Sequence, residues 1–279
     1  VLFQRVEERV NKASYPDVEF LVDLALDAGE IILRDFRLGM KKAHKRDGTP
    51  VTKTDEAINE LVIRAFRKNY RHISVAAEEG SRIVPNSEYI VYCDPLDGTG
   101  PFTKGIPIMS FVISLNRGNI PLAAVIFDPF LGRMWIASKG RGTFLNGVRT
   151  RVSNHQVLQG SHMYLICWEG VKKFRMDGIA EKLRRSGVNW VNIFSSGYFG
   201  GLISSGQFEA SIFPPGPLGW ETPAIQLIVE EAGGVATDID GYPLTYGPKA
   251  EINGHLISNG HLHDTLLGII ASYRNRSFE

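Results

Sequence analysis

The stretch YIVYCDPLDGTGPF occupies residues 89–102. An apolar run suited to a buried strand stops at Asp94, and a second carboxylate follows at Asp97, just before Gly98 and Thr99. Two acids around a proline have two readings. One is an ordinary β-turn. The other is a strand end that aims two carboxylates and the Leu96 carbonyl the same way, with the Leu96 side chain turned inward. Such oxygens suit a hard cation, Mg2+ in particular. Gly98 lets the backbone approach a ligand closely. If Gly98 and Thr99 open a helical turn, their N–H groups face an anion, and the Thr99 hydroxyl is placed to orient a water.

Other acids share this placement at the ends of apolar elements. Glu78 and Glu79 follow the run ISVAA, Asp55 opens a helix, and Glu221 precedes the helical pattern TPAIQLIVEEAGG. Each has a plain structural reading as well: a helix cap for Asp55, surface charge for Glu78 and Glu79, a favourable helix-dipole position for Glu221. Together they form a set of Asp and Glu without Cys or His, which fits Mg2+ and argues against zinc. An Asp shared by two ions about 3.5–4 Å apart gives a two-metal site for phosphoryl chemistry. Phosphate monoesters need such help, because their uncatalysed hydrolysis is among the slowest reactions known.

The rest of the composition is permissive. A chain of 279 residues, 43% hydrophobic and 22% charged, builds a sizeable core. Its net charge of +1 supplies no global field for nucleic acid or an anionic membrane. Both cysteines, Cys93 and Cys167, sit in apolar runs and read as buried thiols in a reducing compartment. The chain has no apolar run of roughly 20 residues and opens without a signal pattern, so the expected compartment is the cytoplasm. Residues 1–4 have the form of a protease-tag remnant.

Along the chain, helical spacing predicts a helix over 16–36 and a second starting near Thr52 or Thr54, where Thr52-x-x-Asp55 has capping-box form. Between them, the basic run 41–46 reads as a solvated loop closed by Asp47-Gly48. Strands are predicted over 73–77, 89–93, 109–115, 122–127 and 133–137. The character changes near 154–160. From there the pattern alternates: strand 161–167, helix 177–186, strand 190–194, helix 200–205, strand 208–213, helix 222–232, strand 255–258 and a last helix from His261. The expected division is an α+β half over 1–153 that carries most of the candidate metal ligands and an α/β half over 154–279, in one catalytic unit.

Taken in order, GTPVTKTD before the second helix, AAEEG, DPLDGT, FLNGVRTRVS, GWETPAIQLIVEEAGG and SNGHLHDTLL resemble the inositol monophosphatase superfamily across nearly the whole chain. The resemblance implies a mixed α/β (α+β) fold, a layered αβαβα sandwich of the inositol monophosphatase and fructose-1,6-bisphosphatase type. It implies a lithium-sensitive, Mg2+-dependent phosphomonoesterase, commonly a homodimer, that uses two to three ions and attacks a small phosphorylated metabolite directly with water. Carried over by residue, Glu78, Asp94 and the Leu96 carbonyl hold one metal, and Asp94, Asp97 and Glu221 a second. Glu78 also faces a third ion. Asp55 and Thr99 activate the water with Glu78 assisting, Gly98 and Thr99 bind phosphate, and Ser195 and Ser196 lie where members contact substrate. Neither nucleic acid nor membrane is an expected partner.

The sequence departs from that pattern in places. Trp220-Glu221 stands where the family has Trp-Asp, and Ala77 where a glycine precedes the acidic pair. Gly100-Pro101-Phe102 replaces a polar residue and Asn before Phe. Inositol-specific members carry a Glu about six residues before the Trp, where this chain has Phe213 or Pro214. The expected substrate is inositol-phosphate-like or histidinol-phosphate-like. A 3′-phosphoadenosine 5′-phosphate or sugar bisphosphate is an alternative. A non-catalytic metal- or phosphate-binding regulator on the same fold is a rival of another class. A kinase or nucleotide enzyme lacks its phosphate-loop motif.

Overall fold

The computed structural model describes residues 16–37, 43–44, 50–166, 174–216, 219–247 and 251–274. The first elements are α1 (Val18–Asp35), the short strands β1 (Ala43–His44) and β2 (Pro50–Val51), α2 (Lys53–Asn69) and β3 (Ser74–Ala77). After β4 (Tyr89–Asp97) and the single turn α3 (Thr99–Thr103) come β5 (Ser110–Arg117), β6 (Ile120–Asp128) and β7 (Arg133–Ser138). Two short strands, β8 (Gly142–Leu145) and β9 (Val148–Arg149), end this part. There follow β10 (His162–Leu165), α4 (Met176–Arg185), β11 (Asn189–Val191), α5 (Ser196–Ser204) and β12 (Ala210–Phe213). The chain closes with α6 (Thr222–Glu231), β13 (Val235–Thr237), β14 (His255–Ser258) and α7 (His263–Arg274).

Strands β3 to β9 form a seven-stranded sheet in sequence order, with β3 and β4 parallel and the rest antiparallel. The second sheet has the order β11-β10-β12-β14-β13 and is also mixed. Helices α1 and α2 cover the outer face of the large sheet around Leu21, Phe66 and Phe111. Between the two sheets, α5 and α6 bury Phe199 and Ile225 with Trp135. The far face of the second sheet is closed by α4 and α7, through Leu183 and Leu266. This is the expected layered α/β sandwich. Among the described residues no helix is long and apolar enough to cross a membrane.

Local chemistry explains most of the boundaries. Asp17 caps α1 by accepting the Phe20 N–H at 3.1 Å. The capping box on α2 forms as its spacing predicts, with Asp55 accepting the Thr52 N–H at 2.8 Å. The hairpin β8–β9 was not expected as strands, although its Asn146-Gly147 turn carries a strong hairpin signal; the two residues take φ of 48° and 81°. The strand β13 was also unforeseen. It is only three residues long, and its pairing with β14 is decided across the sheet.

Two boundaries moved in ways that matter for the site. The strand β4 continues to Asp97 instead of ending at Cys93, because the ladder with β5 shifts register between Asp94 and Asp97. Pro95 has no N–H to give the ladder, so the strand bulges there and re-forms one pair later. Helix α5 begins at Ser196, ahead of the expected 200–205. Its glycines weaken the helical reading, but they are what lets α5 sit close. A Cβ on Gly197 would lie 2.5 Å from the Val112 side chain and 3.0 Å from Asp97 Oδ2. The basic run between α1 and α2 lies mostly outside the described residues, as do Cys167 and residues 1–4; Ala43–His44 pair with Pro50–Val51.

Candidate active site

The bulge in β4 arranges the first donors. Asp94 Oδ1 accepts the Leu96 N–H at 3.0 Å, folding the turn back on itself. The Leu96 side chain goes into the core, and its carbonyl accepts the Thr99 hydroxyl at 3.1 Å. Gly98 then takes φ 104° as the residue preceding α3. A side chain there would press on the Ile108 carbonyl at 2.9 Å and adopt a backbone rarely open to L residues. Thr99 therefore opens α3 with its hydroxyl 2.9 Å from Asp55 Oδ1. Asp55 does two jobs: Oδ2 caps α2 through Thr52, and Oδ1 holds Thr99.

Asp97 faces the N-terminus of α5. Its Oδ1 accepts the Ser196 N–H at 3.0 Å. Its Oδ2 accepts the Ser195 hydroxyl at 2.8 Å, the Gly197 N–H at 2.8 Å and the Ser110 hydroxyl at 3.0 Å. Three of these four donors lie at the start of α5 and join it to the seven-stranded sheet; the fourth, Ser110, belongs to β5 of that sheet. Glu221 stands at the residue before α6, and Thr222 behind it is anchored by the buried ring of His255, Nδ1 to Oγ1 3.2 Å. Glu78 leaves the end of β3 with its N–H on the Cys93 carbonyl at 3.2 Å.

Most of these residues meet in one cleft of about 170 Å³, which buried Asp55 reaches only through Thr99 and which Ser195 does not line. Its walls include Glu78, Asp94, Leu96, Asp97, Gly98 and Thr99 from the first part of the chain, and Ser196 and Glu221 from the second. Ile166, Phe194, Phe213 and Trp220 complete it. Among the described residues no lysine, arginine or histidine lines it. The carboxylates feel that lack. Burial, and then the charges of Glu78, Asp97 and Glu221, push the Asp94 carboxyl well above its ordinary range. Burial and the Asp97 charge push Glu221 up to about 8. Asp97 is raised by burial only to about 6, because the α5 donors and Ser110 favour its charged form. Burial also raises Asp55, against the hydrogen bonds from Thr52 and Thr99.

A largely buried, all-oxygen group of like charges in a cleft that no basic residue lines among the described ones is the chemistry that a hard cation satisfies, so the residues present fit Mg2+. Among the described residues no three His, Cys, Asp or Glu side chains are gathered as a finished grip on an ion.

Of the residues singled out from the sequence, Ser195 lies differently from expectation. It is fully buried, and its hydroxyl is taken by Asp97 instead of facing the cleft. Ser196 does line the cleft. Phe194, with φ 58° and half its surface exposed, was not singled out at all. Cys93 is a buried free thiol behind Asp94.

Fold and cleft together define a class. Residues 15–275 match the model of the inositol monophosphatase family, and the chain belongs to that family. Among its relatives is a histidinol-phosphatase of Mycobacterium tuberculosis (strain ATCC 25618 / H37Rv), 28% identical over 91% of this chain and 97% of its own. The Nus factor SuhB of Pseudomonas aeruginosa is 30% identical over 81% of this chain and 86% of its own. The crystal structure of the extragenic suppressor protein suhB from Bartonella henselae superposes with a TM-score of 0.81 at 22% identity, covering 90% of this chain and 97% of that one.

Proposed function

We propose that this phosphomonoesterase hydrolyses a small phosphate monoester with Mg2+ as its cofactor. Glu78, Asp94 and the Leu96 carbonyl would hold one ion, Asp94, Asp97 and Glu221 a second, with Glu78 also facing a third. When bound, such ions neutralise phosphate charge and lower the pKa of water. The observation that carries the reading is the convergence of Glu78, Asp94, Asp97, Thr99 and Glu221, from separate segments, on one cleft without a basic residue among the described ones.

The chain's own groups supply the rest. The Thr99 hydroxyl donates to Asp55 Oδ1 at 2.9 Å, which leaves its oxygen free to accept a proton from a water in the cleft. Asp55, raised by burial, is a proton acceptor at the end of that relay. The first N–H groups of a helix lack intrahelical partners, so those of Gly98 and Thr99 are suited to phosphate oxygens. Asp97 is held in place by Ser195, Ser196 and Gly197, so the second ion's site is tied to α5. Lithium inhibition and a homodimer come with the family resemblance and are proposed on that ground alone; a cytoplasmic site of action is proposed from the sequence reading of its apolar runs, N-terminus and cysteines.

The names of relatives make histidinol phosphate and inositol phosphate the first substrates to try. The test is phosphate release from a panel of small monoesters with and without Mg2+, each repeated with Li+. Mg2+-dependent release is the expected outcome. A folded protein that binds Mg2+ and releases phosphate from none of them would be the non-catalytic regulator instead.

A further inference from the structure

We infer that the cleft selects phosphate monoesters whose alcohol carries a flat aromatic group, and that Phe194 is the residue that reads it. This rests on the phosphomonoesterase reading above. Among the described residues, the cleft beyond the carboxylates, the turn Leu96–Gly100 and Ser196 is walled by Ile166, Phe194, Phe213 and Trp220. Three of them are packed into the interior, at 4%, 6% and 7% exposure, and show the cleft only an edge. Phe194 is 51% exposed. A large ring left half in solvent at the rim of a cleft is contact area without an internal partner of matching size.

Its backbone makes the same point. Phe194 has φ 58°, in the left-handed region. The other described non-glycine residues there are Asn86 and Asn146, a type that tolerates it. Bulky side chains seldom do, and such residues persist where their surroundings over-determine them. Here the surroundings are the next three residues. Ser195 through its hydroxyl, and Ser196 and Gly197 through their N–H groups, are fastened to Asp97 at 2.8–3.0 Å. The backbone that carries the ring is thus placed next to the carboxylate proposed for the phosphate end.

The chemistry of this wall decides what it takes. A polyol set against Ile166, Phe194, Phe213 and Trp220 would lose water from its hydroxyls with little to replace it. A flat ring would lose nothing and gain face or edge contact. The leaving alcohol of the substrate is therefore aromatic in its side chain and poor in hydroxyls.

The experiment compares kcat/KM for 2-phenylethyl, propyl and glycerol 1-phosphate, all alkyl esters without an activated leaving group. The phenylethyl ester is expected to be preferred over propyl phosphate by about 10-fold, the scale of one good aromatic contact plus its burial. Phe194→Ala should remove most of that preference, read as the ratio of kcat/KM for the phenylethyl ester to that for propyl phosphate in the same variant. Phe194→Gly, which relieves the left-handed backbone, should do the same while folding at least as well. Equal kcat/KM for the esters, or a preference that survives both variants, overturns the inference and leaves the phosphatase reading intact. If no ester is turned over, binding of 2-phenylethylphosphonate against propylphosphonate still decides. A preference lost in Phe194→Ala supports the aromatic site, and equal binding sinks it.

Discussion

On one side of the cleft, Asp94, Leu96, Asp97, Gly98 and Thr99 come from a single continuous turn at the end of β4. On the other, Ile166, Phe194, Phe213 and Trp220 are gathered from the end of β10, the start of α5, the end of β12 and the start of α6. The first side is organised by hydrogen bonds between near neighbours, such as Leu96 N–H to Asp94 and the Thr99 hydroxyl to the Leu96 carbonyl. The second is organised by packing between elements far apart in the chain. On the proposed reading, the charged side would serve the phosphate common to all such esters, and the apolar side the alcohol that distinguishes one from another. Asp97 is where they join, since its hydrogen bonds to Ser195, Ser196 and Gly197 fix the apolar rim against the turn.

The largest effect should come from the shared carboxylate. Asp94→Asn is expected to lower Mg2+-dependent phosphate release by on the order of 1000-fold, the scale of several kcal/mol of lost charge stabilisation. Its melting temperature should hold or rise, because a buried like charge is removed. Near-normal turnover in this variant would break the charged side of the comparison. Thr99→Ala should cost about 100-fold in kcat, at the low end for a proton-transfer group. Thr99→Ser should recover most of it, since the hydroxyl that bonds Asp55 is restored.

Ser195→Ala probes the join. It removes one donor to Asp97, and about a 10-fold rise in the Mg2+ concentration for half-maximal activity is expected, as for other outer partners of a metal ligand. Unchanged Mg2+ dependence, measured by titrating activity against free Mg2+, would mean that α5 does not support the ion site.

The smallest effect is one of stability with pH. Folded Glu221 keeps its proton to about 8, against an ordinary value of 4.5. The metal-free folded state therefore binds more protons than the unfolded one, and its stability falls as pH rises toward 8. Buried His255, with a pKa lowered from 6.5 to about 3, acts with the opposite sign, but only below about 6.5. From pH 6.5 to 8 the melting temperature of the metal-free protein should drop by about 2–4 °C. Glu221→Gln should flatten the slope, and saturating Mg2+ should remove it. A flat metal-free profile would show that burial and the Asp97 charge do not hold the proton on Glu221.

The charged side was readable because its geometry is local. The capping box on α2 follows from spacing within a few residues of chain, whereas the bulge at Pro95, which carries β4 on to Asp97, appears only in the pairing with β5. The early start of α5 was not readable in that way. Glycines that argue against a helix in isolation permit its close approach to Asp97 and Val112, and only the packed structure supplies that contact. Ser195 looked like a substrate contact and turned out to be buried against Asp97, because the orientation of the residue preceding α5 depends on which side of the strand the helix settles.

From the sequence alone came the acids at element ends and the fit of such a set to a hard cation, properties of runs and turns whose interactions span a few residues; the order of layers came with the resemblance to the family. Only the tertiary structure decided that Asp97 would be shared with α5, that Ser195 would be withdrawn from the cleft, and that Phe194 would stand in its wall. Those outcomes depend on contacts between residues about a hundred positions apart, and side-chain periodicity carries no information at that range.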